Sequence, residues 1–143
     1  MTESLESYKK KIIGLPISYA WRGHGSAIFI EFGGLTEYPK RNHPVGEYSV
    51  MLDCDWRIEN IREILCGSFC SQDDIESTIS SLLNDTISNV ELAGTLPEIV
   101  ITLVSGKKIL SFTSDVGQPE WGFFLPDRSW LCSKEGRLVR EKA

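Results

Sequence analysis

The clearest pattern lies at the centre of the chain, where Tyr48, Val50, Leu52, Cys54 and Trp56 alternate with Ser49, Met51, Asp53, Asp55 and Arg57. A period of two with one apolar face predicts a single half-buried β-strand over 48–57. Slipping the register by one residue would bury Asp53 and Asp55, so the pairing is firmly specified and both carboxylates point to one face. Shorter apolar runs bounded by turn residues predict further strands at 17–21, 27–32, 86–92, 98–104, 108–113, 121–125, 129–132 and 137–140. Gly23-His24-Gly25 turns the first hairpin, Ser105-Gly106 reads as a two-residue loop, and Gly136 turns the last pair. Residues 58–68 fit either a helical stripe of Ile58, Ile61, Ile64 and Leu65 or a turn at Glu59-Asn60 followed by a strand to Gly67. Arg62 and Glu63 interrupt the apolar positions and favour the strand.

Two segments change period. Leu5, Tyr8 and Ile12 form one stripe of a helix over 3–12, with Thr2 or Ser4 as cap and Gly14 and Pro16 as terminators. Ser71-Gln72-Asp73-Asp74 resembles a capping box with aspartate in place of glutamate, and opens a helix over about 73–84 through Ile75, Ile79, Leu82 and Leu83. Because turns rather than helices join most strands, the fold class is α+β, mainly an antiparallel sheet. About seven to nine short strands in a sandwich or half-barrel, one N-terminal helix and one mid-chain helix are expected.

Composition bounds the function. At 143 residues, 41% hydrophobic and 24% charged, residues 1–143 make one ordinary globular domain. Apolar runs such as Ile99 to Val104 are too short to span a membrane. The acidic start Met-Thr-Glu-Ser-Leu-Glu does not read as a signal peptide, so a cytoplasmic protein is expected. Acid is concentrated in the middle: residues 45–100 carry two basic and eleven acidic side chains, whereas 1–44 carry six and four. That distribution disfavours nucleic acid and suits a basic protein partner. Cys54, Cys66, Cys70 and Cys132 are separated by eleven, three and sixty-one residues, without the paired C-x₂-C of structural zinc sites. Reduced thiols, no metal and no cofactor are expected, with Cys54 as a small buried hydrophobe.

The densest cluster of reactive side chains is Trp21-Arg22-Gly23-His24-Gly25-Ser26. It matches neither a phosphate loop nor a nucleophile elbow. Arg22 is its strongest candidate, since a guanidinium offers a planar fork of donors to a carboxylate; an ion pair with an acidic neighbour would use the same fork. His43, in the polar loop from Tyr38 to Pro44, is expected to face solvent.

The strings Trp21 to Phe29 with Glu31-Phe32-Gly33, Trp56-Arg57-Ile58-Glu59, Leu96-Pro97-Glu98-Ile99, Leu110-Ser111-Phe112 and Gln118-Pro119-Glu120-Trp121 resemble a family of small uncharacterised bacterial proteins, over residues 14 to 125. That resemblance implies no assigned chemistry. In size and charge the chain is also similar to immunity proteins of bacterial toxin systems. The leading expectation is therefore a non-enzymatic, immunity-like binding protein that meets a basic partner through Asp53, Asp55, Trp56, Asp73, Asp74 and Glu76. The alternative is a small-molecule-binding domain or enzyme with a pocket formed by Arg22, His24, Ser26 and Trp121. Exposed sheet edges also offer a route to a homodimer.

Overall fold

The central alternation does not run as one strand. In the computed structural model, which describes residues 3–142, it divides into β3 (Tyr48–Leu52) and β4 (Trp56–Glu59), which belong to different sheets. Between them Asp53 donates its N–H to the Glu120 carbonyl and the Asp55 carbonyl accepts from the Phe112 N–H, so the chain is held while it crosses. The period of two survives the break because both sheets turn an apolar face to the same interior. Leu52 closes one face and Trp56 opens the other, and both are fully buried.

Before β3 come α1 (Glu6–Ile12), β1 (Ile17–Arg22) and β2 (Ile28–Phe32). After β4 follow β5 (Ile64–Gly67), α2 (Gln72–Ser80), β6 (Ile87–Ala93), β7 (Glu98–Leu103), β8 (Lys108–Ser111), β9 (Trp121–Phe124), β10 (Trp130–Lys134) and β11 (Arg137–Glu141). One antiparallel sheet has the order β1-β2-β3-β9-β10-β11 and the other β5-β4-β8-β7-β6. The eleven strands among the described residues exceed the number expected, partly because the 48–57 run is shared between sheets. Ile28, Ile30, Phe32, Val50, Phe123 and Leu131 of the first sheet merge with Ile58, Val90, Ile99, Ile101, Leu103 and Ile109 of the second in one core. At about 25 cal/mol per Å² of apolar surface removed from water, burial of this shared interior is the main term favouring the fold. No helix among the described residues is long and apolar enough to cross a membrane.

Residues 58–68 resolve as the turn and strand. The Asn60 side-chain oxygen accepts from the N–H groups of Arg62 and Glu63 at 2.8 and 2.9 Å, which fixes the reversal before β5. At α2 the Ser71 hydroxyl accepts from the Asp74 N–H at 3.1 Å, satisfying a helix N–H that has no partner within the helix. Replacing Ser71 by alanine is expected to cost about 1 kcal/mol, read as a lower urea midpoint at constant slope. α2 stops at Ser80, short of the expected Asn84. There the N–H groups of Leu82 and Leu83 reach back only three residues, and Asn84 takes a left-handed conformation at φ 73°. α1 begins at Glu6 without a side-chain cap, and Ser4 contributes its carbonyl rather than its hydroxyl; Thr2 lies outside the described residues.

Two hairpins share a three-residue loop. The Leu103 N–H donates to the Lys107 carbonyl around Val104-Ser105-Gly106, one residue longer than the loop expected from the sequence. The Leu125 N–H likewise donates to the Ser129 carbonyl around Pro126-Asp127-Arg128. The third loop residue is left-handed in both, Gly106 at φ 94° and Arg128 at φ 71°.

Candidate functional site

The structure engages several of the residues that the sequence groups together in contacts within the fold. Trp56 is 0% exposed, and its indole N–H donates to the Ser26 carbonyl at 2.7 Å. It faces the core because it begins β4 on the apolar phase, so it cannot serve as a surface anchor. Asp53 is exposed; Asp55 is half-buried and accepts from the hydroxyls of Ser68 and Ser114. Asp73, Asp74 and Glu76 remain exposed on α2.

Arg22, His24, Ser26 and Trp121 do not line a common cleft: Arg22 lies on a small hollow with Ala20, Trp21, His43, Glu76 and Ile79, without the other three. Arg22 Nε pairs with Glu76 at 3.2 Å, and its terminal nitrogens donate to Gln72 and to the carbonyls of Gly23 and Gly25. Its donor fork ties the β1–β2 turn to α2. His24 is exposed, Ser26 is half-buried, and Trp121 is 3% exposed with its indole N–H on the Pro97 carbonyl at 3.0 Å. All four cysteines are free; Cys54 is half-buried rather than buried, and burial pushes its thiol up to about 12.

A different site lies on the outer face of the six-stranded sheet. The pleat that turns Ile28, Ile30, Val50 and Phe123 inward turns Phe29, Glu31, Ser49, Met51, Gly122 and Phe124 outward. Trp21 of β1 and Trp130 of β10 join that outer face through their pairing with Phe29 and Phe124. Gly122 keeps the middle of this face low, since a Cβ there would meet Phe124, Trp130 and Met51 at 3.5–3.9 Å. Residues 41–45 cover the floor from one side, anchored where Val45 bridges Thr36. The result is a cleft of about 600 Å³ lined by Trp21, Phe29, Glu31, Arg41, Asn42, His43, Pro44, Val45, Ser49, Phe124, Arg128 and Trp130.

Glu31 organises the wall. It is 3% exposed; one carboxylate oxygen accepts from the Trp21 indole N–H at 3.1 Å, the other from the Gly46 N–H at 3.0 Å and from the Ser49 hydroxyl. Three donors offset much of the cost of burying the charge. Gly46 must be glycine for this approach, since a Cβ there would lie 2.6 Å from the Phe32 carbonyl oxygen. With its N–H held, Trp21 stacks between Phe29 at 4.0 Å and His43 at 4.2 Å. His43 Nδ1 is also 3.1 Å from the Tyr19 hydroxyl, so this histidine packs on the protein instead of facing solvent. A signal was present in the sequence: Glu31 is the one charged residue in Ile28–Phe32, and the aromatics at 21, 29, 124 and 130 occupy the phase opposite the core residues.

The rim carries Arg41 over the Tyr38 ring at 5.7 Å and Arg128 over the Phe124 ring at 5.8 Å. The loop that presents Arg128 is fastened by Asp127, which accepts from the hydroxyl and N–H of Ser129 and from Arg140. The Ser129 hydroxyl, then its N–H, with Arg140 adding, hold the Asp127 carboxyl down to about 2 from 3.8. A carboxyl lowered on folding stabilises above its unfolded value and loses that contribution as pH falls through its folded value. The Asp127 carboxylate is expected to titrate near pH 2 by carbon-detected NMR, and Asp127→Asn to flatten the loss of stability between pH 4 and 2.

Comparison with known proteins gives no match: no family model, no curated protein and no solved structure is similar to this chain.

Proposed function

We propose that this is a non-catalytic cytoplasmic binding protein whose ligand seat is the cleft on the outer face of the six-stranded sheet. The observation that carries the reading is a cleft of about 600 Å³ walled by Trp21, Phe29, Phe124 and Trp130, with polar side chains from Glu31, Ser49 and the rim converging on it. That combination of size and lining is characteristic of sites for small organic ligands. Binding rather than chemistry is favoured by how the polar groups are spent. Glu31 is committed to three donors and His43 to Trp21 and Tyr19, so both hold the wall in place.

A planar aromatic probe such as 2-naphthoate is expected to raise the unfolding free energy of the wild type by about 1.4 kcal/mol at tenfold its dissociation constant. Trp130→Ala, which removes a half-buried wall residue, is expected to lose that gain. Equal stabilisation of both proteins would place the probe elsewhere and overturn the reading.

A second reading, an immunity-like contact with a basic protein, is favoured by the exposure of Asp73, Asp74 and Glu76 on one short helix. Charge reversal at those three positions would abolish salt-sensitive retention of such a partner, and unchanged retention would exclude this surface.

A further inference from the structure

We infer that the cleft selects an anionic ligand, an aromatic or apolar body bearing a carboxylate, with Arg128 and Arg41 as its charge-recognising residues. The inference rests on the cleft reading and adds the chemistry of the ligand. Its main support is the backbone of Arg128. In the third position of this type of hairpin loop the left-handed conformation favours glycine, and Gly106 occupies the matching place in the β7–β8 hairpin. Arg128 holds the same conformation at φ 71° despite carrying a Cβ. Such strain persists only where the surrounding structure fixes it. Asn84 and Glu135 are left-handed too, at a helix end and a hairpin turn, but of the three only Arg128 lines the cleft, its side chain laid over Phe124.

The second observation is charge. Arg22, Arg57, Arg137 and Arg140 each pair with a carboxylate. Arg41, Arg62 and Arg128 have no such partner among the described residues, although Asp127 adjoins Arg128 in sequence; Arg62 is exposed away from the cleft, whereas Arg41 and Arg128 line it. Asp127 is engaged by Ser129 and Arg140, and Glu31 by Trp21, Gly46 and Ser49, so neither carboxylate satisfies the rim. A guanidinium resting on an aromatic ring keeps its donor edge free for a planar anion. A cation fits poorly, since two guanidinium groups stand at the mouth and both faces of Trp21 are already covered, by Phe29 and by His43.

The test follows the tryptophan indole N–H signals of ¹⁵N-labelled protein titrated with 2-naphthoate, 2-naphthamide and 2-naphthylmethylamine. Trp21 and Trp130 report on the cleft, while Trp56 and Trp121, in the core, are internal controls. 2-Naphthoate is expected to shift the first pair and to bind about tenfold tighter than the amide, with the amine weakest. Arg128→Gly is expected to remove most of that preference while raising Tm, because glycine relieves the left-handed strain. Loss of preference in a more stable protein cannot be misfolding. Arg41→Gln is expected to weaken the preference further. Equal affinity for acid and amide with Trp21 and Trp130 shifting, or a preference for the amine, would overturn the anion inference and leave the cleft standing. No shift at Trp21 or Trp130 with any probe would overturn both.

Discussion

Replacing Trp56 by alanine is expected to remove about 4 kcal/mol of stability, the range for deleting a large aromatic from a core. The indole is fully buried where the chain passes from one sheet to the other, and its N–H satisfies the Ser26 carbonyl in the β1–β2 turn. Alanine leaves a void between the sheets and strands that carbonyl. Since small domains are stable by roughly 5–15 kcal/mol in total, the variant should unfold at a much lower urea concentration with little change in slope. Trp56→Phe fills most of the volume but lacks the donor, and should cost less. A surface anchor would behave in the opposite way, with stability unchanged on truncation to alanine.

The second large effect is expected at Glu31. Glu31→Ala removes the acceptor shared by the Trp21 indole N–H, the Gly46 N–H and the Ser49 hydroxyl, and should cost about 3 kcal/mol. Glu31→Gln preserves the shape but turns a donor amide towards groups that are themselves donors, so it should recover only part of the loss. The consequence extends beyond stability. Trp21 takes its orientation from Glu31, and the stack with Phe29 and His43 depends on it. Both variants should therefore move the Trp21 indole N–H signal and weaken 2-naphthoate, whereas Ser71→Ala, confined to α2, should change stability alone.

Most of the architecture was legible in the sequence because single-face burial leaves a period. The helix cap at Ser71, the strand after Asn60 and the hairpin at Gly136 follow from local chemistry that tertiary packing did not override. The division of 48–57 was not legible. A strand that continues and a strand that crosses to a facing sheet present the same alternation, because each side chain meets the same core. The site was less visible than the fold for a related reason. The sequence draws attention to charged and glycine-rich strings, and Arg22 and Trp56 stand out there, yet their donors are consumed by neighbours that come close only after folding. The cleft instead draws on β1, β2, β3, β9, β10 and the loop after β2, and no single string contains it. Arg128 carried no sequence signal, since its left-handed backbone emerges only once Leu125 and Ser129 pair.

A crystal structure of the protein with 2-naphthoate shows whether ligand enters the cleft on the outer face of the six-stranded sheet. The ring is expected between residues 41–45 and the wall formed by Phe29, Phe124 and Trp130, with the carboxylate about 3 Å from the Arg128 or Arg41 guanidinium. Density for the probe against α2, or an empty cleft at saturating 2-naphthoate, would show that this cleft is not the ligand site.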